Sequence, residues 1–286
     1  MMRWIHKLAT FVDYTYLGMK VGATLRSKLV LVSLLPRLKW SHLGVYVDDQ
    51  LHNLDIWFGA TKRRIYIRTQ DIFILYEILG KNPYILPDMG ECPPRCIIDL
   101  GSHVGLATLQ FKAHFPSAEI HCYEPDPDSF YLLQLNTAEL PGVFLHREAV
   151  AGQRGVATFY VRRSRHAGSS LYRVDSDRGP GTNEIQCELK LLDDCLSETK
   201  LPVDVVKFDI EGAEFDVFSQ SRRVHDVRFI VGELKGTAED IGRFLALFPR
   251  HQASVRWIGP NIAYVALRLK PFCVKRSRLQ HANRLD

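Results

Sequence analysis

The sequence predicts an open α/β domain built on a mostly parallel sheet, and two features carry that prediction. The apolar run Ile97–Leu100 is followed by a glycine loop, a helical segment that ends at Phe115 and a second apolar run that ends at Glu124. This is a strand–loop–helix–strand unit, in which ligands bind at the carboxyl edge of the strands. The chain also closes with the apolar segments 254–258 and 262–269 around a Gly-Pro-Asn turn, which predicts an antiparallel hairpin.

The glycine loop indicates which ligand the domain binds. Its spacing is Asp99-x-Gly101-x-x-x-Gly105, and His103 and Leu106 stand where a dinucleotide fingerprint needs glycine. An acid at the end of the next strand, Glu124, completes the pattern by which class I methyltransferases bind S-adenosylmethionine. The prediction is therefore a Rossmann-like class I fold with a seven-stranded mostly parallel sheet, an antiparallel C-terminal hairpin and helices on both faces. The residues predicted to bind the cofactor are Asp99, Gly101, Ser102, His103, Gly105, Glu124, Pro125, Glu148 and Ala149.

Each cofactor residue has an expected role. The loop faces the methionine half of the cofactor, and the Glu124 carboxylate accepts hydrogen bonds from the ribose diol. Asp99 lies near the amino group or orients the loop, and Glu148 lies near the adenine amine.

The remaining elements continue the alternation of strands and helices. Further parallel strands are predicted at 143–150, 203–210 and 227–233, and helices at 71–79, 127–136 and 238–248. Alternation also predicts short strands between Gly44 and Arg68. The segments 156–161 and 185–191 alternate with period two and read as paired, half-exposed strands. The polar loop between them, Ser164 to Thr182, is long enough to be either functional or disordered.

Length and composition bound the domain organisation. A chain of 286 residues with 46% hydrophobic and 24% charged residues is typical of one large globular domain. We predict a basic, mainly helical extension over 1–60, the methyltransferase domain over 61–270 and a basic tail over 271–286.

A net charge of +5 is too small to indicate nucleic acid by itself. The six cysteines are scattered, which favours reduced thiols over a zinc site.

The N-terminal extension has two interpretations. Its apolar residues Leu29, Val30, Val32 and Leu35 could pack on the domain, or lie on a membrane surface with the lysines at the headgroups. Packing is favoured, because the apolar residues are about as many as one helix face needs. No signal peptide or membrane-spanning segment is evident, so a cytoplasmic protein is expected.

The segment 203–214 supplies the candidate catalytic residues. Lys207 and Asp209 share a face by the two-residue period of a strand, at its carboxyl end. An alcohol acceptor must lose a proton, and either residue could take it. The alternative is that the two side chains only neutralise each other. Glu211, Ser169 and Ser170 are candidate contacts to the substrate. The acids Asp209, Glu211, Glu214 and Glu233 could form a divalent-metal cluster, but no metal is predicted.

Six segments together resemble the FkbM family of S-adenosylmethionine-dependent methyltransferases. They are Arg68–Asp71, Ile98–Gly105, Tyr123–Pro127, Gly168–Leu171, Leu192–Asp194 and Val206–Glu214. The resemblance covers about residues 60 to 236, and Lys-Phe-Asp-Ile-Glu-Gly-Ala-Glu is its most specific part. The family's usual loop reads Gly-Ala-Asn where this chain has Gly101-Ser102-His103. The resemblance implies methylation of a hydroxyl on a sugar, glycan or natural product, and hence a small-molecule or glycan acceptor.

Two alternative functions remain. A nucleic-acid methyltransferase that acts on an extruded base would normally carry an Asn/Asp-Pro-Pro-Tyr/Phe segment after the fourth strand. Asp209-Ile-Glu-Gly212 stands there instead, so no nucleic-acid partner is expected. A methyltransferase-like binding module without catalysis is the second alternative, and intact Asp99, Gly101, Gly105 and Glu124 argue against it.

Overall fold

The computed structural model describes residue 13 and residues 15–41 (side chains to residue 34), 50–84, 92–162, 168–172 and 182–270. The strands, in chain order, are β1 Leu51–Phe58, β2 Thr61–Arg68, β3 Cys96–Leu100, β4 Glu119–Tyr123, β5 Val143–His146, β6 Ala149–Val150, β7 Gly155–Arg162, β8 Thr182–Lys190, β9 Val205–Phe208, β10 Phe229–Lys235, β11 His251–Gly259 and β12 Ile262–Leu269. The helices are α1 Leu25–Ser41, α2 Ile72–Tyr76, α3 Leu106–His114, α4 Pro127–Thr137, α5 Leu192–Glu198, α6 Glu214–Gln220 and α7 Ala238–Ala246.

A seven-stranded sheet in the order β11-β12-β10-β9-β3-β4-β5 forms the centre of the molecule. The five strands from β10 to β5 pair in parallel, and β12 lies antiparallel to both of its neighbours. The predicted seven-stranded, mostly parallel sheet with an antiparallel C-terminal hairpin is therefore confirmed.

Helices cover both faces of this sheet, because neighbouring residues of each strand point to opposite faces. Ile97 packs in one core with α1, α3, α4 and the β1–β2 hairpin, whereas Ile98 packs in a second core with α5, α6 and α7. The central strands β3 and β9 are fully buried and, apart from Asp99 and Lys207, apolar, as is typical of parallel strands covered on both faces.

The predicted strand over 143–150 is interrupted. Its first half, β5, pairs with β4 only as far as Tyr123 opposite His146. Because β4 ends there, the following residues have no neighbour in that sheet. Ala149 and Val150 pair instead with β8, in a separate sheet of order β6-β8-β7.

The helix predicted over 71–79 is shorter and less regular than expected. A 3₁₀ turn at Thr69–Asp71 leads into α2, and a π-helical turn follows at Glu77–Lys81. Asn82, with φ of 44°, ends the segment in place of Gly80.

The N-terminal region packs on the sheet core. Val21, Leu31 and Leu34 are buried in the core that also holds the β1–β2 hairpin. Of the short strands predicted between Gly44 and Arg68, Val45 and Val47 lie outside the described residues. The hairpin spans residue 60, and the division into extension, domain and tail stays a prediction. Within the described part of the chain, no helix is both long and apolar enough to cross a bilayer.

The phenylalanine cluster between the sheet and α6–α7 makes a stability prediction. Phe218 is fully buried and meets the rings of Phe208 and Phe244 at centroid distances of 4.9 and 5.3 Å. We expect Phe218→Ala to lower the free energy of unfolding by about 3–5 kcal/mol, measured by urea denaturation. Phe215→Ala on the exposed face of the same helix is the control and should cost less than about 1 kcal/mol. Equal losses in the two variants would contradict this packing argument.

Candidate functional site

The site is built where β3, β4, β9 and β10 end. Because these strands are parallel, the polar residues at their carboxyl ends meet at one edge of the sheet. Asp99 lies in β3, Glu124 follows β4, Asp209 follows β9 and Glu233 lies near the end of β10. The structure thus brings the predicted cofactor residues Asp99 and Glu124 to the same edge as the candidate catalytic residue Asp209.

The glycine loop is held tightly between β4 and β9. Gly101 has φ of 73°, and a Cβ on it would lie 2.0 Å from the carbonyl oxygen of Asp209, so only glycine fits. The backbone N–H groups of Gly101 and Ser102 both donate to the Tyr123 carbonyl, at 3.0 and 3.1 Å. Ser102 Oγ donates to the Asp99 carbonyl at 2.8 Å. The loop backbone is therefore preorganised.

Lys207 lies beneath this loop. Its Nζ forms an ion pair with Asp99 Oδ1 at 2.9 Å, and donates to the carbonyls of Gly101 at 2.8 Å and Leu100 at 3.3 Å. Thr108 Oγ1 donates to the other Asp99 oxygen at 2.8 Å. The alternative in which Lys207 and Asp209 neutralise each other does not describe this geometry, because register places Lys207 directly opposite Asp99.

Glu124 is buried beside the loop. Its Oε2 accepts from the His103 N–H at 2.8 Å, and its Oε1 accepts from the Asp126 N–H at 2.9 Å. Burial, helped by the nearby Asp126 charge, raises the pKa of Glu124 to about 7. Pro125 follows directly, and the Asp126 side chain caps α4. The carboxylate is thus fixed in orientation and poised to titrate near neutral pH.

Asp209 is held by a residue that sequence reasoning missed. The Tyr84 hydroxyl donates to Asp209 Oδ2 at 3.0 Å, and Lys207 Nζ lies 5.2 Å from the centre of the Tyr84 ring. Burial and the Asp209 charge raise the pKa of the Tyr84 phenol well above its usual value, so the phenol stays a donor. No spacing signal links two residues so far apart in the chain.

The surroundings of Asp209 are acidic. Burial and the Asp209 charge raise the pKa of Glu233 to about 8, and burial raises the pKa of Glu214 to about 7. Glu211 and Glu233 both contact Lys235. Among the described residues, no group of three His, Cys, Asp or Glu side chains is arranged to hold a metal ion.

The remaining candidates lie around this edge. Glu148 follows β5 and pairs with Lys190 at 3.2 Å, while Ala149 is buried in the small sheet. Ser170 Oγ donates to the Glu211 carbonyl at 2.7 Å, and Ser169 Oγ accepts from the Arg162 N–H at 3.1 Å. The described part of the long loop therefore lies against Glu211. The rest of that loop, with Arg165 and His166, lies outside the described residues.

Comparison with known proteins assigns the family. A family model described as the methyltransferase FkbM domain matches residues 99–255, more than half of the chain. The chain belongs to the FkbM methyltransferase family. Its cofactor is S-adenosylmethionine, and the resemblance stated from the sequence motifs is confirmed.

Individual relatives of this FkbM protein are distant. Methyltransferase 1 of Beauveria bassiana is 30% identical over 141 residues, covering 42% of this chain and 56% of that one. The 2-O-methyltransferase NoeI of Sinorhizobium fredii is 28% identical over 161 residues, covering 50% and 64%. The chain thus matches less than two thirds of the length of either relative. The structure of Aeropyrum pernix fibrillarin with bound S-adenosyl-L-methionine is 11% identical, covering 78% of this chain and 98% of that one with a TM-score of 0.41.

The residues of this FkbM domain fit the cofactor. At Gly101 the loop passes so close to the Asp209 carbonyl that no side chain fits. The loop therefore presents bare backbone at the sheet edge where the cofactor would lie. Glu124 has both oxygens oriented by backbone N–H groups, and a carboxylate oxygen has lone pairs for further donors. The two ribose hydroxyls are such donors, so Glu124 would hold the ribose.

This assignment predicts a pH-dependent affinity for S-adenosylhomocysteine. Protonation of Glu124 removes acceptor capacity, so we expect the affinity measured by calorimetry to fall as the pH drops through about 7. Glu124→Gln should weaken binding at pH 8 by about 10-fold or more, because a hydrogen bond to a charged acceptor contributes about 1.5–3 kcal/mol. It should also reduce this pH dependence.

Glu119 at the opposite end of the same strand provides the control. Glu119→Gln should bind with unchanged affinity and the same pH dependence. Unchanged affinity in Glu124→Gln would remove Glu124 from the ribose site.

Proposed function

We propose that this protein transfers a methyl group to a hydroxyl of a sugar, glycan or natural product, with Asp209 as the proton acceptor. The observation that carries the proposal is the half-buried Asp209 carboxylate, which follows β9, is oriented by Tyr84 and has its backbone packed against Gly101. The relative NoeI is named a 2-O-methyltransferase, which supports oxygen as the acceptor atom.

The chemistry requires positioning and a proton acceptor. S-adenosylmethionine supplies an electrophilic methyl group when it is bound. The chain must hold the acceptor oxygen in line with that methyl group, which accounts for most of the rate gain. As the new carbon–oxygen bond forms and the sulfur–methyl bond breaks, the hydroxyl proton would move to Asp209 and S-adenosylhomocysteine would leave. Because Oδ2 of Asp209 accepts from Tyr84, the second oxygen is left to face the alcohol.

Lys207 has a different role in this proposal. Its ammonium group is surrounded by Asp99 and the carbonyls of Leu100 and Gly101, which use its three N–H bonds. A lysine in that state has no lone pair for the alcohol proton. Lys207 therefore positions the glycine loop and balances the buried Asp99 charge.

The acceptor would bind over Glu211. Ser170 joins the long loop to the Glu211 carbonyl. Ser169 and Ser170 are buried and their hydroxyls bond to backbone groups of Arg162, Glu211 and Tyr172, so in this proposal they hold the described part of the loop beside the acceptor. The acidic surroundings of Asp209 would also favour a cationic sulfonium nearby.

Three substitutions test the division of roles. Asp209→Asn should lower kcat about 10²–10⁴-fold, as loss of a general base does. Tyr84→Phe should lower kcat by a smaller factor, because the carboxylate loses its orienting hydrogen bond but remains. Lys207→Met leaves Asp99 buried without its cation, so we expect about 3–5 kcal/mol lower stability and weaker cofactor binding. The measurements are kcat at saturating cofactor, the calorimetric Kd and urea unfolding.

Tyr264→Phe is the matched control, because Tyr264 lies edge-to-face with Tyr84 but its hydroxyl contacts Glu77 instead of Asp209. Its kcat should stay within a few-fold of wild type. The kcat of Lys207→Met is measured on folded protein saturated with cofactor. If that variant loses as much kcat as Asp209→Asn does, Lys207 takes part in the proton transfer and the proposed roles are wrong.

The acceptor class is tested with isotope-labelled S-adenosylmethionine and a panel of acceptors. We expect label on oxygen in sugars, oligosaccharides or hydroxylated natural products, detected by mass spectrometry, and far less label with the Asp209→Asn control. Transfer only to RNA or DNA, or to nitrogen, would overturn the proposal. Tight cofactor binding without transfer to any acceptor class would favour the binding-module alternative.

A further inference from the structure

A buried ion pair lies next to the cofactor edge, in the family-like segment Arg68–Asp71, which precedes the residues matched by the family model. Arg68 ends β2, and its Nε and Nη2 donate to Asp71 at 2.9 and 3.3 Å. The Arg68 backbone N–H donates to Asp71 Oδ2 at 2.8 Å as well. The two side chains are 8% and 1% exposed. Both residues precede residue 99, where the match to the family model begins.

Two arms run from this pair to the two oxygens of Glu124. In the first arm, Arg68 Nη2 lies 3.2 Å from the ring nitrogen Nε2 of His103. The backbone N–H of His103 in turn donates to Glu124 Oε2. His103 has φ of 50°, an unfavourable conformation for a residue with a side chain, so its place must be held by its neighbours.

The second arm passes through the first turn of α4. Arg68 Nη2 donates to Ser129 Oγ at 2.9 Å, and Ser129 Oγ donates to Asp126 Oδ2 at 2.8 Å. The Asp126 N–H then donates to Glu124 Oε1. One guanidinium group therefore supports both hydrogen bonds that orient the ribose-binding carboxylate.

Stability alone is a weak reason for such a pair. Burying two charges costs about as much as their attraction returns, and apolar replacements are often as stable. By contrast, residues that hydrogen-bond to the ligand-binding side chains of a site, and so fix their orientation, strongly affect the affinity for the ligand. The same hairpin carries an ordinary surface pair at 3.1 Å, in which Arg64 is 64% exposed and Asp55 16%.

We propose that Arg68 and Asp71 are positioning residues of the cofactor site, which hold His103 and Ser129 so that Glu124 presents its carboxylate to the ribose. The inference rests on the cofactor-binding role of Glu124, and it does not depend on the acceptor. The β1–β2 hairpin is then a functional part of the methyltransferase site.

The pH dependence of binding reports on this role. Burial raises the pKa of Glu124 most and the Asp126 charge raises it further, whereas the backbone N–H groups of Asp126 and His103 and the Lys207 charge lower it. Loosening either arm weakens an N–H bond to the carboxylate. The pH at which cofactor affinity falls should then move upward, which a purely structural role would not produce.

The test measures binding to the full chain by calorimetry between pH 6 and 9, with S-adenosylhomocysteine and methylthioadenosine as ligands. Both contain the ribose, and only the first contains the amino-acid part. We expect Arg68→Met to weaken the binding of both ligands by a similar factor of about 10 or more. The pH at which the affinity falls should be higher than in the wild type. Arg68→Lys should recover part of the loss, and the control Arg64→Met should bind like wild type.

A double-mutant cycle makes the test decisive. In a Glu124→Gln background, Arg68→Met should cause little further loss, because the group it orients has been changed. Additive losses, or a loss confined to S-adenosylhomocysteine, would overturn the proposal. If Arg68→Met does not fold, Asp71→Asn and Arg68→Lys carry the same cycle. Failure to methylate alcohols would refute the proposed function and leave these binding results unaffected.

Discussion

The site depends on one buried ion pair, Lys207 with Asp99. Strand register places the two residues directly opposite each other on neighbouring parallel strands, in a part of the sheet covered on both faces. Neither charge could be buried without the other. Because the Lys207 ammonium also binds the carbonyls of Leu100 and Gly101, the pair fixes the point where the chain leaves β3. That point determines where the glycine loop lies, and the loop in turn contacts the residues beside Glu124 and Asp209.

Around this pair, the site is assembled from parts of the chain that precede the matched family domain as well as from the domain itself. Tyr84 reaches Asp209 from the segment after α2. Arg68 reaches His103 and Ser129 from the end of the hairpin. Both contacts come from elements that pack on the face of the sheet that also carries α3 and α4. The N-terminal elements thus complete the core and also contact residues of the candidate site.

The electrostatics of the edge are consistent with a cationic cofactor. Burial raises the pKa of Glu124 and Glu214 to about 7 and that of Glu233 to about 8, while Lys207 and Lys235 offset part of the negative charge. Such a group of carboxyls costs free energy when it is desolvated and fully ionised. A bound sulfonium cation would reduce that cost, so the acidic edge suits this cofactor better than it suits an anion.

Much of the fold and part of the site could be predicted from the sequence, because their signals are local. Apolar runs, the Asp99-x-Gly101 loop and an acid at the end of the next strand lie within about thirty residues. They predicted the fold class and the cofactor, which are confirmed, and Glu124 as the ribose ligand, which stays a prediction. The contacts of Lys207 and Tyr84 needed the tertiary structure. Lys207 pairs with Asp99 because of strand order, and Tyr84 meets Asp209 across 125 residues of chain. The strand predicted over 143–150 breaks because its neighbour ends. Periodicity encodes which way a side chain points, but its partner is decided by which strands become neighbours and in what register.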